Sequence, residues 1–225
     1  MGHEDWYRKT TWSPEDQKAF FARLNRSRTS YNKAQYVRIQ VLHLQRVGTS
    51  SMLLSAIELI EIMLEKWPES SQLASAYLQK AQCFDALGRI EEAVQSYRAA
   101  LNAEHQYPGV RTDARLYFAR FVASHELNDL YEYALSELDE SFDLTIFPVG
   151  EYSYFAARAI IAAHQGKTIE ARNYAQRAIL ASQKTYSGLS HHPRLGLVES
   201  PDSKLHEKLL RLLMQNGLAT EQDQG

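Results

Sequence analysis

Apolar residues return at spacings of three and four along almost the whole chain, and no stretch alternates in the way a strand requires. Ser13-Pro14-Glu15-Asp16 reads as an N-cap, a proline at the first helical position and two acids facing the positive end of the helix dipole. Phe20, Phe21 and Leu24 follow on one face, and Arg23, Arg26 and Arg28 crowd the helix end. Further helices are predicted over 33–46, 52–66, 73–87, 90–103, 113–127, 130–142, 152–165, 168–184 and 203–215. Gly48-Thr49-Ser50, Trp67-Pro68, Gly88-Arg89, Asn128-Asp129 and Gly166-Lys167 separate them. Residues 186–202 read as a loop by their Gly, Pro and Ser content. The last helix is amphipathic, with Leu205, Leu209, Leu212 and Leu213 inward, and the polar tail 218–225 is expected to be disordered.

The helices repeat in pairs. Aligned on an alanine early in each second helix, Ala56, Ala93, Ala134 and Ala171 lie 37, 41 and 37 residues apart. In the clearest copy Ala81 sits in the first helix, Gly88 in the turn and Ala93 in the second helix, followed by Tyr97 and Ala100. Ala159, Gly166, Ala171, Ala175 and Ala178 fall at the same offsets in the last copy. Small residues let two antiparallel helices approach closely. The third copy departs from the pattern, because Asp129 stands at the turn glycine and Val122 at the small residue of the first helix.

The windows 77–101 and 152–184 carry a pattern that resembles the tetratricopeptide repeat family, and the resemblance extends over about 37–184. It implies an all-α fold: antiparallel helix pairs stacked as a right-handed superhelix with N- and C-terminal capping helices. The spacing is longer than the family's, which implies extra turns or loops between units. The organisation read from the chain is an aromatic segment and capping helix over 1–36, repeats over 37–185, a loop and capping helix over 186–217, and the tail. Trp6, Tyr7 and Trp12 precede the first helix; they either plug the open end of the repeats or offer a contact surface.

Composition adds constraints. The 225 residues carry a net charge of −2 and a single cysteine, Cys83, which excludes an internal disulfide and an all-cysteine metal cluster. Cys83 falls mid-helix, where a buried small residue is expected. No phosphate-binding glycine loop, nucleophile elbow or zinc-protease helix is present, and no cofactor or metal is expected. His191-His192 has no further ligand at close spacing before Glu199. The start of the chain has neither a signal peptide nor a myristoylation pattern, and the apolar stretch 52–67 is interrupted by three glutamates. A cytoplasmic protein is the expectation.

The small net charge is a cancellation. Residues 1–50 hold nine Lys/Arg against four Asp/Glu, whereas residues 106–150 hold three against eight. Glu126, Asp129, Glu132, Glu137, Asp139, Glu140 and Asp143 are interleaved there with Tyr131, Tyr133 and Phe142. Such a patch is either a solvated face or a seat for a basic partner.

If the fold follows the resemblance, a concave groove is lined by the first helices. Helical phase places Arg38, Gln45, Gln79, Gln82, Asp85, Arg120, Glu126 and His164 on that face, and Glu137, Asp139 and Glu140 on the acidic one. The expected function is non-enzymatic binding of a protein or peptide, a basic one if the acidic face receives it. An adaptor, a chaperone-like holder and an immunity protein all fit. The alternative is an RNA-associated or regulatory binder using Arg23, Arg26, Arg28, Lys33 and Arg38, although the near-neutral chain speaks against nucleic acid and no membrane partner is expected. A hydrolase built on His191 or His192 is a third reading.

Overall fold

The computed structural model describes residues 5–140, 147–199, 201 and 203–214. Phe142 and Asp143 of the acidic stretch, Gln215 and the tail 218–225 lie outside the described residues. The described residues form an all-helical fold in which consecutive helices pack as pairs, with no strand among them. Two compact units divide the chain, Met1–Ala114 and Arg115–Gly225.

The first unit opens on a 3-10 turn, Asp5–Tyr7, and α1 (Pro14–Leu24). Ser13 caps α1 as its sequence requires. Its side chain accepts from the Asp16 backbone N–H, and the Asp16 carboxylate accepts from that of Ser13. The pairs α2 (Ser30–Val47) with α3 (Ser50–Lys66), and α4 (Ser70–Ala86) with α5 (Ile90–Gln106), follow. The aromatic block is packed inward. Trp6 lies 5.4 Å from Phe20 and 5.0 Å from Tyr36 between ring centroids, Trp12 lies 5.3 Å from Phe20, and Tyr7 and Trp12 are buried. Fully buried Gln40 clamps the segment, accepting from Lys9 N at 2.9 Å and donating to Lys9 O at 2.7 Å. The block is therefore packed against α1 and α2.

In the second unit α6 (Ala114–Ser124, whose first residue closes the first unit) leads through a 3-10 turn, Asn128–Leu130, to α7 (Tyr131–Asp139). Then come the closely packed pair α8 (Pro148–His164) and α9 (Thr168–Ser182), and finally α10 (Ser203–Met214). Buried Ala156, Ala159, Ala171, Ala175 and Ala178 let α8 and α9 approach. In the first two pairs the additional length of the repeat resides in the helices, since α2 to α5 each span 17 or 18 residues. In the third pair the helices are shorter, 11 and 9 residues, and the length goes into the connection 107–113 and the 3-10 turn Asn128–Leu130.

The third pair corrects the register expected from sequence. Its first helix ends like those before Gly88 and Gly166. Glu126 N donates to Ala123 O and Leu127 N to Val122 O, matching Gly88 to Asp85 with Arg89 to Phe84, and Gly166 to Ala163 with Lys167 to Ala162. Gly88 and Gly166 have φ of 72° and 74°, and Glu126, at 54°, is the only described non-glycine residue with a positive φ. Glu126 thus holds the glycine place, and Ala119, seven residues earlier and fully buried, holds the small-residue place expected at Val122. Asp129 belongs to the 3-10 turn that fills the longer connection.

Candidate functional site

On the first-helix face of the first unit, Arg38, Gln45 and Gln79 come together, but they bond to one another. Arg38 Nε and Nη1 donate to Gln79 Oε1 (3.1 Å) and Gln72 Oε1 (2.6 Å). Gln79 Nε2 returns to Arg38 O (3.1 Å), and Gln45 Nε2 donates to Gln79 O (2.9 Å). This ladder ties α2 to α4 in parallel. Burial holds the Arg38 guanidinium below its usual range, and its polar partners are neutral amides. Gln82 and Asp85 lie half-buried on the same helix. Beneath them Cys83 is fully buried, and burial pushes its thiol up to about 12, so it is no nucleophile at neutral pH.

The basic cluster is likewise divided. Arg23, Arg26 and Arg28 are exposed, but Lys33 sits 5.6 Å over the Trp67 ring and Arg38 is spent in the ladder. With Tyr7, Trp12 and Phe20 buried, these aromatic faces are not open for bases to stack on.

The acidic face is matched within its own unit. Glu137 is buried, with Arg115 Nε 3.4 Å from its Oε2, and Arg115 Nη1 reaches Glu140 Oε2 at 2.7 Å. Asp139 pairs with Arg158, whose guanidinium also lies 5.0 Å over the Tyr154 ring. These three acids join α6, α7 and α8. Arg120 stacks over its own helix neighbour Tyr117 at 4.7 Å. His191 and His192 are exposed in the loop after α9.

Glu126 and His164, the remaining two predicted groove residues, line one cleft. It is a cavity of about 380 Å³ walled by Glu126, Asn128, Tyr131, Ile160, Ala163, His164, Lys208, Arg211 and Leu212. His164 meets the Tyr131 ring edge-on at 5.1 Å, and Ile160, Ala163 and Leu212 supply apolar wall. Lys208 Nζ donates to Glu126 Oε1 at 2.6 Å, and its ammonium lies 3.5 Å from Ser124 O. That hydrogen bond is the main reason the Glu126 carboxyl sits below its ordinary range. Burial, followed by the nearby Glu126 charge, raises the Tyr131 phenol. A left-handed backbone costs a non-glycine residue about 1–2 kcal/mol, so this carboxylate is held at a place where the chain elsewhere uses glycine.

Sequence reasoning missed Lys208 and Arg211. Their signal was the amphipathic pattern of the last helix, which identifies an inward face but not what that face meets. The structure shows α10 running alongside α8 in the same direction: His206 lies near Tyr152 at the start of α8, and Leu212 near Ile160 and His164 at its end. Lys208 and Arg211 thereby rim the cleft. Compared with known proteins, the chain matches no family model, no curated protein and no solved structure.

Proposed function

We propose that this chain is a non-enzymatic protein-interaction module of the tetratricopeptide-repeat kind, and that the cleft between α8 and α10 is where it takes hold of its partner. The observation that carries the reading is the contrast between faces. The polar groups of the first-helix ladder bond to one another, and Glu137, Asp139 and Glu140 of the acidic face each face an arginine of their own unit. The cleft combines apolar wall with Asn128 and His164 exposed at its rim, beside Arg211, which lies 3.6 Å from its own helix neighbour Glu207. A concave site with a few convergent polar groups is the form that peptide recognition takes. The acidic face, with Glu137 buried and Asp139 and Glu140 ion-paired, is a poorer seat for a basic partner. An adaptor, a chaperone-like holder or an immunity protein of the cytoplasm would each use such a cleft. Among the described residues no helix is long and apolar enough to cross a membrane.

The test is site-specific photo-cross-linking. A photoreactive amino acid in place of Asn128, at the cleft, is expected to give a discrete protein adduct in the cells that make this chain. The same amino acid in place of Gln176, exposed on α9, should not. Equal adducts at both positions, or none at Asn128, would contradict the proposal.

A further inference from the structure

We infer that the surface of α8 and α9 under α10 is a receptor for an amphipathic helix of the partner protein, and that α10 is its resident competitor. The inference rests on the proposed partner-binding role and names the chemistry of the partner. The shape of the occupant can be read from α10 itself. Leu205 and Leu209 are fully buried, while Lys204, Glu207 and Arg211 face solvent. The receptor thus accepts a helix with leucines at i and i+4, and at i+3 a cation, Lys208, that reaches Glu126.

Three features make α10 a replaceable occupant. Its fit degrades along its length: Leu212 and Leu213 are half-exposed, Met214 is 72% exposed, and the cleft opens beside this last stretch. The preceding loop is fixed independently of it. Gly196 O accepts from Val149 N at 2.8 Å, and Gly196 lies so close to Phe147 that a Cβ there would sit 2.6 Å from the Phe147 Cβ. The docking of Gly196 therefore does not depend on α10 staying in place. Finally, the latch is a carboxylate held in a left-handed backbone where Gly88 and Gly166 serve the equivalent turns. A glycine would end the helix as well; the glutamate adds the ability to read a cation on whatever helix lies opposite.

The experiment measures fluorescence anisotropy of a labelled synthetic peptide with the sequence 203–214, titrated with the full chain. The wild-type chain, its receptor occupied, should bind weakly. Leu209→Asp, which disables the resident helix, should bind the peptide about tenfold more tightly. Adding Glu126→Lys should weaken that binding about threefold, with recovery when the peptide carries Lys208→Glu. Circular dichroism checks that the remaining helices persist. Should Leu209→Asp unfold the unit, the single variant Glu126→Lys serves: it should prefer the Lys208→Glu peptide over the natural one. Variants that bind the peptide no better than wild type, or a charge swap without effect, overturn the inference. A cross-link at Asn128 alongside failed peptide binding removes this inference alone, whereas absence of the cross-link removes the functional reading beneath it.

Discussion

Replacing Gln79 by alanine is expected to lower the stability of the first unit by about 3 kcal/mol, because it breaks a ladder and leaves a charge behind. The substitution removes the acceptor for Arg38 Nε and the donors to Arg38 O and Gln45 Oε1. The guanidinium stays in place, already desolvated and with only Gln72 Oε1 left of its two side-chain acceptors. A half-buried guanidinium left short of an acceptor costs more than the bonds contributed, so the double variant Arg38→Met/Gln79→Leu should be less destabilised than Gln79→Ala alone. All three tryptophans, Trp6, Trp12 and Trp67, lie in the first unit, so their fluorescence reports on it selectively. In urea the midpoint should fall by about 2 M for Gln79→Ala. A shift of a few tenths of a molar would mean that the ladder is solvated and contributes little.

The second large effect is expected from Leu209→Asp. Leu209 is fully buried, and its apolar contact contributes about 2–3 kcal/mol. An aspartate in its place would have to shed its water, at a cost of several kcal/mol. Undocking α10 is the cheaper outcome. A detached helix of 12 residues is marginal in water, since isolated helices below about 12–15 residues rarely hold. The far-UV signal should therefore drop by the equivalent of one short helix while α8 and α9 persist. An unchanged spectrum would show that α10 is held by something other than its leucines.

Most of the fold was legible because helices announce themselves locally. Ser13 and Pro14 mark a start, Gly88 and Gly166 mark turns, and buried Ala81, Ala93, Ala159 and Ala171 mark the closest helix contacts. The third pair was misread for an equally local reason. Asn128-Asp129 has turn-forming chemistry, whereas nothing in a glutamate's chemistry predicts a left-handed backbone. The actual turn at Glu126 is recognisable only from its hydrogen bonds to Ala123 and Val122.

Site residues were legible as faces and not as partners. Phase puts Arg38 and Gln45 on one side of α2, but their partners Gln72 and Gln79 lie more than thirty residues along the chain. The same holds for Glu126 with Lys208, and Asp139 meets Arg158 from the next helix, nineteen residues on. A local tally of acids counts these side chains as free. The cleft depends on α10 returning alongside α8 after the loop, an event with no local signature beyond the amphipathicity of α10.

As proposed above, α10 is a docked but replaceable helix on a more firmly built α8–α9 pair. Native-state amide hydrogen exchange measures this directly, residue by residue, on the unmodified chain. Amides 207–214 should exchange at least about 100-fold faster than amides 156–163, because α10 opens without the rest of its unit. Equal protection of the two helices would contradict the account, since α10 would then open only with its unit and no partner helix could take its place.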